Sequence, residues 1–461
     1  MTEGAGFPLP PLLSADGNDK EGLWRHLRLK YKLTLIYPAH KKNLGTGRKK
    51  KYPIPQLSLP MIAALTDDRF DVEIKDDNIE DMDFDAKTDL VGITTMTTLA
   101  PRAYEIAKEF RKRGVPVILG GIHASMMPDE ASLYADCVVT GEAEGVWPAV
   151  LDDFINKRLK KTYAGAGMHN LENLPRPRLD LLKKDRYFSN SLIMASRGCP
   201  HDCSYCSVTT FWGKSFRYRP IPEVIAELKS LPDKMVFFAD DNLYGNKVYA
   251  KKLFKEMIPL KKKWSCQGDT LIANDPELLD LAARSGCEWI FIGIESISQK
   301  SLARLRKSFN KADQYKETFK KIHDAGLSIF GSFIFGLEED DERVFEDTVN
   351  FAIDCKLDAA NFYILTPLPG TKLFEEMKAA GRLLHTEWDK YDANHVVFKH
   401  RKLTQEQLLE GLISAYRHFY SVPSMAKRIL RPGNKRFAQA LSLNIGRWLR
   451  RKRFEAACRM Q

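Results

Sequence analysis

From about Tyr31, short apolar runs alternate with amphipathic stretches. "KLTLIYP", "FDVEIKD", "DLVGITTM", "VPVILGG" and "DCVVTGE" read as strands, while "PQLSLPMIAALTDD" and "APRAYEIAKEFRKRG" carry apolar residues at helical spacing. This alternation over residues 31–155 predicts an α/β unit with an open, parallel, doubly wound sheet. Such sheets bind ligands at the carboxyl ends of their strands. Those ends hold Thr94, Thr95, Gly120, Gly121, His123 and "TGEAEG".

A proline-bearing linker of mixed charge, 156–190, interrupts the pattern. It then restarts with six strand-like runs: "SLIMASRG", "MVFFADDN", "WSCQGDTL", "EWIFIGIES", "LSIFGSFIFGLEED" and "DAANFYILTPLPGT". Helical stretches separate them, and "DPELLDLAARSG" opens with Asp275 as a cap before Pro276. Residues 191–383 are therefore expected to form a partial (β/α)6 TIM-type barrel, with functional loops at the strand C-terminal ends. Residues 384–421 read as a loop, a strand and a helix, an α/β extension that makes the C-terminal region mainly helical. Residues 422–461 read as a basic tail and 1–30 as a loose N-terminal tail.

Composition changes little in this picture. An apolar share of 44% suffices for large cores. No run approaches the ~18 apolar residues of a membrane span, and the first residues lack the basic start and apolar stretch of a secretory signal. A cytoplasmic setting is expected, where clustered cysteines signal metal or catalysis more than disulfides. The net charge is +11, and from Val422 to Gln461 eleven Lys or Arg face one acid, Glu455. Nearly all the excess thus lies in the tail. There Trp448, Leu449 and Phe454 stand among cations, which suggests weak contact with an anionic membrane surface, on the inner face. No nucleic-acid module accompanies the charge, so no specific nucleic-acid partner is expected.

The chemistry concentrates in "RGCPHDCSYCSV". Cys199, Cys203 and Cys206 lie just past the first barrel strand, at the mouth, where barrel active sites sit. Three thiolates suit a four-iron cluster with one iron left open; a closed zinc site needs a fourth ligand, for which His201 is the candidate. Cys137, Cys266, Cys287 and Cys355 sit in apolar segments and read as small hydrophobes, although Cys266 lies on a barrel strand and has an inward-facing alternative. Tyr391, His395 and His400 follow the barrel and are candidates for covering its mouth.

The Cys-x3-Cys-x-aromatic-Cys run, with Tyr205 before the third cysteine, and the six βα units after it resemble the radical S-adenosylmethionine superfamily. The preceding sheet, with "GGIHASMMPDEA" and "VVTGEAEG", resembles its cobalamin-binding subgroup, which contains methylases and cyclases of tetrapyrroles, hopanoids and antibiotics. The resemblance implies a flavodoxin-like cobalamin domain over 31–155. It implies a [4Fe–4S] cluster on Cys199, Cys203 and Cys206, and cleavage of S-adenosylmethionine to a 5′-deoxyadenosyl radical that activates an unactivated carbon. Methyl transfer is one outcome; cyclisation or rearrangement is another. A small-molecule substrate, lipid-like if the tail meets membrane, and a one-electron donor such as ferredoxin or flavodoxin follow as partners.

By the same resemblance, Asp240, Asp241 and Glu295 become contacts to S-adenosylmethionine, with a helix cap as the alternative for the Asp pair. Thr94, Thr95, Gly120 and Gly121 rim the cobalamin site. Where relatives that use a histidine on cobalt carry Asp-x-His-x-x-Gly, "YPAHKKN" has Pro38 and Asn43, so His40 reads as a loop histidine. Two rivals remain. Methylthiotransferases carry further cysteines in their first domain, whereas this one holds Cys137 alone. A zinc-stabilised binding protein is the non-enzyme alternative.

Overall fold

The computed structural model describes residues 30–40, 54–165, 167–431, 434 and 436–459. The expected loose N-terminal tail lies outside them up to residue 29, as does Asn43. The first sheet contains β1 (Tyr31–Tyr37), β2 (Phe70–Asp76), β3 (Leu90–Thr94), β4 (Val117–Gly120), β5 (Cys137–Thr140) and β6 (Thr162–Ala164). All pairings are parallel, in the order β2-β1-β3-β4-β5-β6. The order reverses between β1 and β3, the switch point at which such sheets open a ligand crevice. Helices α1 (Ser58–Leu65), α2 (Ala100–Lys112) and α3 (Trp147–Ile155) cover the faces. β3 is buried along Leu90–Ile93, as a strand clothed on both sides must be. β6 falls within the stretch read as linker. Its three residues are too few to show an alternation.

The second sheet is β7 (Leu192–Ile193), β10 (Met235–Phe238), β11 (Lys263–Gly268), β12 (Cys287–Glu295), β13 (Ser328–Phe335) and β14 (Ala359–Ile364), all parallel and sequential in space. Helices α4 (Ile221–Ser230), α5 (Lys247–Met257), α6 (Pro276–Arg284), α7 (Tyr315–Asp324) and α8 (Val344–Asp354) connect them, the partial (β/α)6 arrangement expected. The Asp275 carboxylate accepts from the Leu278 amide at 3.1 Å, capping α6 as the sequence predicted. Along β12 burial alternates. Ile290, Ile292 and Ile294 are fully buried with the core, while Trp289, Phe291 and Gly293 are half-buried on the other face.

An antiparallel ribbon, β8 (Ser196–Gly198) with β9 (Phe216–Tyr218), brackets the cysteines and was not foreseen. The strand expected after residue 384 is reduced to a single bridge between Leu383 and Phe398. α9 (Gln405–Phe419) follows, closed at its start by the Thr404–Gln407 capping box. The supposed tail is α10 (Val422–Ile429) and α11 (Phe437–Arg459). α11 is docked: Asn444 and Cys458 are buried, and the Phe454 ring lies 4.4 Å from Tyr416. Trp448 packs with Met425 and Ile429, whereas Leu449 is exposed, so the three apolar residues do not form one surface. Among the described residues, no helix is long and apolar enough to cross a membrane.

Candidate active site at the mouth of the barrel

β8 delivers the cysteine loop through Gly198, whose φ of +86° and 2.1 Å clearance from the Ser215 carbonyl for an added Cβ leave room for glycine only. Backbone bonds tie the loop on both sides: the Ser204 amide donates to Leu305, and the Leu373 amide to Ser204. The thiols of Cys199, Cys203 and Cys206 are all free and half-buried. Burial pushes Cys203 up to about 12 and Cys206 to about 11, while the Lys307 ammonium pulls both the other way. These thiols remain protonated until a cation binds them. His201 faces elsewhere. Its Nε2 lies 2.6 Å from the Asp269 carboxylate and its ring stacks on Phe309 at 3.6 Å. Among the described residues, no three His, Cys, Asp or Glu side chains converge on a single ion. The zinc reading therefore lacks its fourth ligand.

Behind the loop lies a buried ion pair. Lys307 Nζ is 2.9 Å from Glu295 Oε1, and the Tyr205 hydroxyl donates to the same oxygen at 2.9 Å. Both charged side chains are at most a tenth exposed. Burial pulls the pKa of Lys307 down, but the Glu295 carboxylate holds it well above the usual range. Glu295 has a φ of +65°, rare for a residue with a side chain, at a register shift between β12 and β13. Asn310 holds this bend by donating to the Gly293 and Ile294 carbonyls, and Gly293 makes space for the pair, since an added Cβ would lie 2.3 Å from the carboxylate. Lys307 gave no signal in the sequence, because "ARLRKSFN" looks like an ordinary basic helix end.

The aspartate pair follows the second barrel strand and bonds to the segment that carries the cysteines. Asp240 is fully buried, and its oxygens accept from the Ala195 amide at 3.1 Å and the Ser196 hydroxyl at 2.6 Å. Asp241 accepts from the Gly198 amide at 3.2 Å. Neither caps a following helix; both hold the strand that delivers the cysteines. Burial pushes Asp240 up to about 7 and Asp241 to about 6. Both lie above an unfolded aspartate, so the folded state keeps protons that the unfolded chain loses from about pH 4 upward. Stability is expected to fall as the pH rises through that window and to level off above it. Asp240→Asn, which keeps an oxygen for Ser196, should remove much of this slope; an unchanged slope in melting curves would refute it. Asn242, at the end of the same strand run, reaches both Asp269 at 2.8 Å and Cys199 Sγ at 3.9 Å.

In the first domain, the Thr95 hydroxyl donates to the Gly120 carbonyl at 2.8 Å and accepts from the Ala124 amide. Gly121 has a φ of +94°, and an added Cβ would lie 2.8 Å from both backbone atoms of Thr95 and 2.9 Å from the Thr94 hydroxyl. Thr94, Thr95, Gly120 and Gly121 thus form one tight rim at the carboxyl ends of β3 and β4. Gly121→Ala is expected to cost more than ~1 kcal/mol and to loosen this rim; equal denaturant midpoints for variant and parent would show otherwise. His123 turns away from the rim into the core, 5.3 Å from the Trp388 ring. Trp388 in turn donates to Glu130, joining the extension to the first domain. The acids of "TGEAEG" bind this protein's own arginines: Glu142 meets Arg197 at 2.9 Å and Arg217 at 3.0 Å, and Glu144 pairs with Arg197. This clamp fixes the first domain to the ribbon that carries the cysteines. In the sequence, Arg197 stands out as a charge inside an apolar strand two residues before Cys199.

A cavity of about 1480 Å³ runs through the barrel. Phe237, Trp289 and Phe330 wall it, His40 and Ile54 reach it from the first domain, and α11 lines one flank. His40 is half-buried here, where an exposed loop residue was expected. His395 lines the cavity, His400 bonds the Leu337 carbonyl and Tyr391 is buried between the domains. Cys266 packs in the hydrophobic core and does not face the lumen.

Comparison with known proteins gives matches in both halves. Residues 193–352 match the model of the radical SAM superfamily, and 45–151 that of the B12 binding domain. The chain is 34% identical to bacteriochlorophyllide d C-12(1)-methyltransferase of Chlorobaculum tepidum, covering 81% of this chain and 84% of that protein. It is 32% identical to the C-8(2)-methyltransferase of the same organism, covering 79% and 86%. The fold matches the cobalamin-dependent S-adenosylmethionine radical enzyme OxsB with a TM-score of 0.66 at 15% identity, over 94% of this chain and 73% of that one.

Proposed function

The chain belongs to the radical S-adenosylmethionine superfamily, in its cobalamin-binding subgroup, and on that premise we propose that it methylates a carbon of a large, flat, apolar molecule of the tetrapyrrole class. It is an enzyme whose cofactors are a [4Fe–4S] cluster, S-adenosylmethionine and cobalamin. When bound, the reduced cluster cleaves S-adenosylmethionine to activate a carbon–hydrogen bond, and cobalamin carries the methyl group. Cys199, Cys203 and Cys206 fit the cluster: three thiols on one loop, with no fourth ligand among the described residues. Glu295, fixed by Lys307 and Tyr205, is the polar group at the end of β12 that faces S-adenosylmethionine, and Asp241 steadies the cysteine loop beside it. Thr94, Thr95, Gly120 and Gly121 rim the cobalamin, held without a protein histidine on cobalt.

The observation that carries the substrate class is the aromatic cavity of about 1480 Å³, open to both domains, in a chain one-third identical to tetrapyrrole methyltransferases. Anaerobic turnover with methyl-labelled S-adenosylmethionine and a bacteriochlorophyllide-type chlorin tests it. Label on a chlorin carbon, with 5′-deoxyadenosine formed alongside, is the expected result. Cleavage of S-adenosylmethionine without label transfer would sink the substrate assignment.

Two partners belong to the same proposal. Lys214, Arg306 and Lys372 surround the single acid Asp202 in the cysteine loop, at 3.2, 3.2 and 2.8 Å. This positive rim suits an acidic one-electron donor of the ferredoxin or flavodoxin kind. Exposed Ile445 and Leu449, among Arg450, Lys452 and Arg453, support a weak contact with an anionic membrane, on its inner face. Salt-sensitive flotation with anionic vesicles checks that contact.

A further inference from the structure

Several arginines on or just before α11 are already engaged. Arg436 meets Glu288 at 2.5 Å and Arg459 meets Glu410 at 2.6 Å. Arg451 lies over Trp448, 4.6 Å from the ring centre. Arg447 differs. It is half-buried, lines the barrel cavity and has no carboxylate partner among the described residues. Its guanidinium sits 5.8 Å from the centre of the Phe330 ring, with Tyr363, Tyr416 and Tyr420 as its other electrostatic neighbours. The face that brings it there is regular: Ala440, Leu443, Arg447, Phe454 and Ala457 recur at three- and four-residue spacings, or their sum, and all line the cavity. Arg450 and Arg451, at the intervening positions, line the cavity as well, Arg451 over the Trp448 ring. Ser328 Oγ, on the same wall, is buried without a hydrogen-bond partner.

A guanidinium among aromatic rings offers planar, paired donors that match a carboxylate. We infer that Arg447 recognises a carboxylate on the substrate, so that the enzyme takes apolar acids and discriminates against their esters. The methionine carboxylate of S-adenosylmethionine is not the group bound here. Phe330 stands five residues before the carboxyl end of β13, ~16 Å from the mouth by strand rise. The cysteines lie at that mouth. A substrate held by its acid at Arg447 and reacting near the cluster spans most of the lumen, which suits a tetrapyrrole with a propionate arm. The inference rests on the proposed enzyme reading, and its test separates the two.

The full chain, reconstituted with cluster, cobalamin and S-adenosylmethionine, is titrated with a chlorin bearing one free propionate and with the methyl ester of that chlorin. Tetradecanoate and its methyl ester form a second pair. Parent protein is expected to prefer the free chlorin acid by roughly tenfold to a hundredfold, the range of a charge-assisted hydrogen bond. Arg447→Met should erase the preference and Arg447→Lys retain part of it, with iron content unchanged in both. Equal affinity of parent protein for acid and ester, or a preference that survives in Arg447→Met, overturns the inference and leaves the tetrapyrrole reading standing. Arg447-dependent preference for tetradecanoate, with no chlorin bound, supports the acid site and removes the tetrapyrrole. No binding of either pair overturns both.

Discussion

Anaerobically reconstituted Cys203→Ala protein is expected to lose its cluster iron and all cleavage of S-adenosylmethionine. In the proposed site the four-iron cluster has three protein thiols to hold it, and two would not close the cage. The loss is specific to the metal, because Cys203 is half-buried in a loop anchored through other residues: Gly198 to Asp241, Ser204 to Leu305 and His201 to Asp269. Folding of the variant should therefore be little changed, by less than ~1 kcal/mol. Cys458→Ala is the contrasting control. Cys458 is buried in the core on α11, and its loss should leave iron and turnover in place. Retention of the visible spectrum and turnover in Cys203→Ala would refute the assignment of the loop.

The second large effect is expected at Lys307→Met. This substitution leaves Glu295 buried, with Tyr205 as its main remaining donor, and an uncompensated charge of this kind costs about 3–5 kcal/mol. Glu295 can relieve the cost by taking up a proton, which would end the role of fixed anion proposed for it beside S-adenosylmethionine. Both stability and cofactor affinity should therefore fall. The double variant Lys307→Met with Glu295→Met distinguishes the two effects. Removal of both charges restores most of the stability, yet S-adenosylmethionine binding should stay weak. A single Lys307→Met variant with parental melting and affinity would show that the pair is ornamental.

Periodicity carried most of the architecture because each strand and helix here buries a face. "FDVEIKD" and "DPELLDLAARSG" show their partners' positions in their own pattern. The elements that escaped are those whose reason lies elsewhere in the chain. β6 is three residues paired to β5, and β8–β9 is a ribbon set by Glu142 and Glu144 holding Arg197 and Arg217. The basic end was read from its charge as a solvated or lipid-facing tail. Its real constraint is long-range, since Asn444 is buried against Asp358 and Phe454 against Tyr416. The same division holds in the site. The cysteines are legible through spacing, and Glu295 through a charge ending an apolar strand. That Asp240 binds the Ala195 amide and the Ser196 hydroxyl is not legible in the sequence, because those partners lie 45 and 44 residues upstream. Lys307, twelve positions after Glu295, becomes visible only when the chain folds back on it.

The most direct test of the account is electron–nuclear double resonance on the reduced, reconstituted protein. It would be loaded with S-adenosylmethionine labelled at the amino nitrogen and the carboxylate oxygens. The account predicts direct hyperfine coupling of both labels to a four-iron cluster, because three cysteines leave one iron open to the cofactor. A cluster that shows no coupling to either label, or protein that binds zinc in place of iron and sulfide, would contradict it.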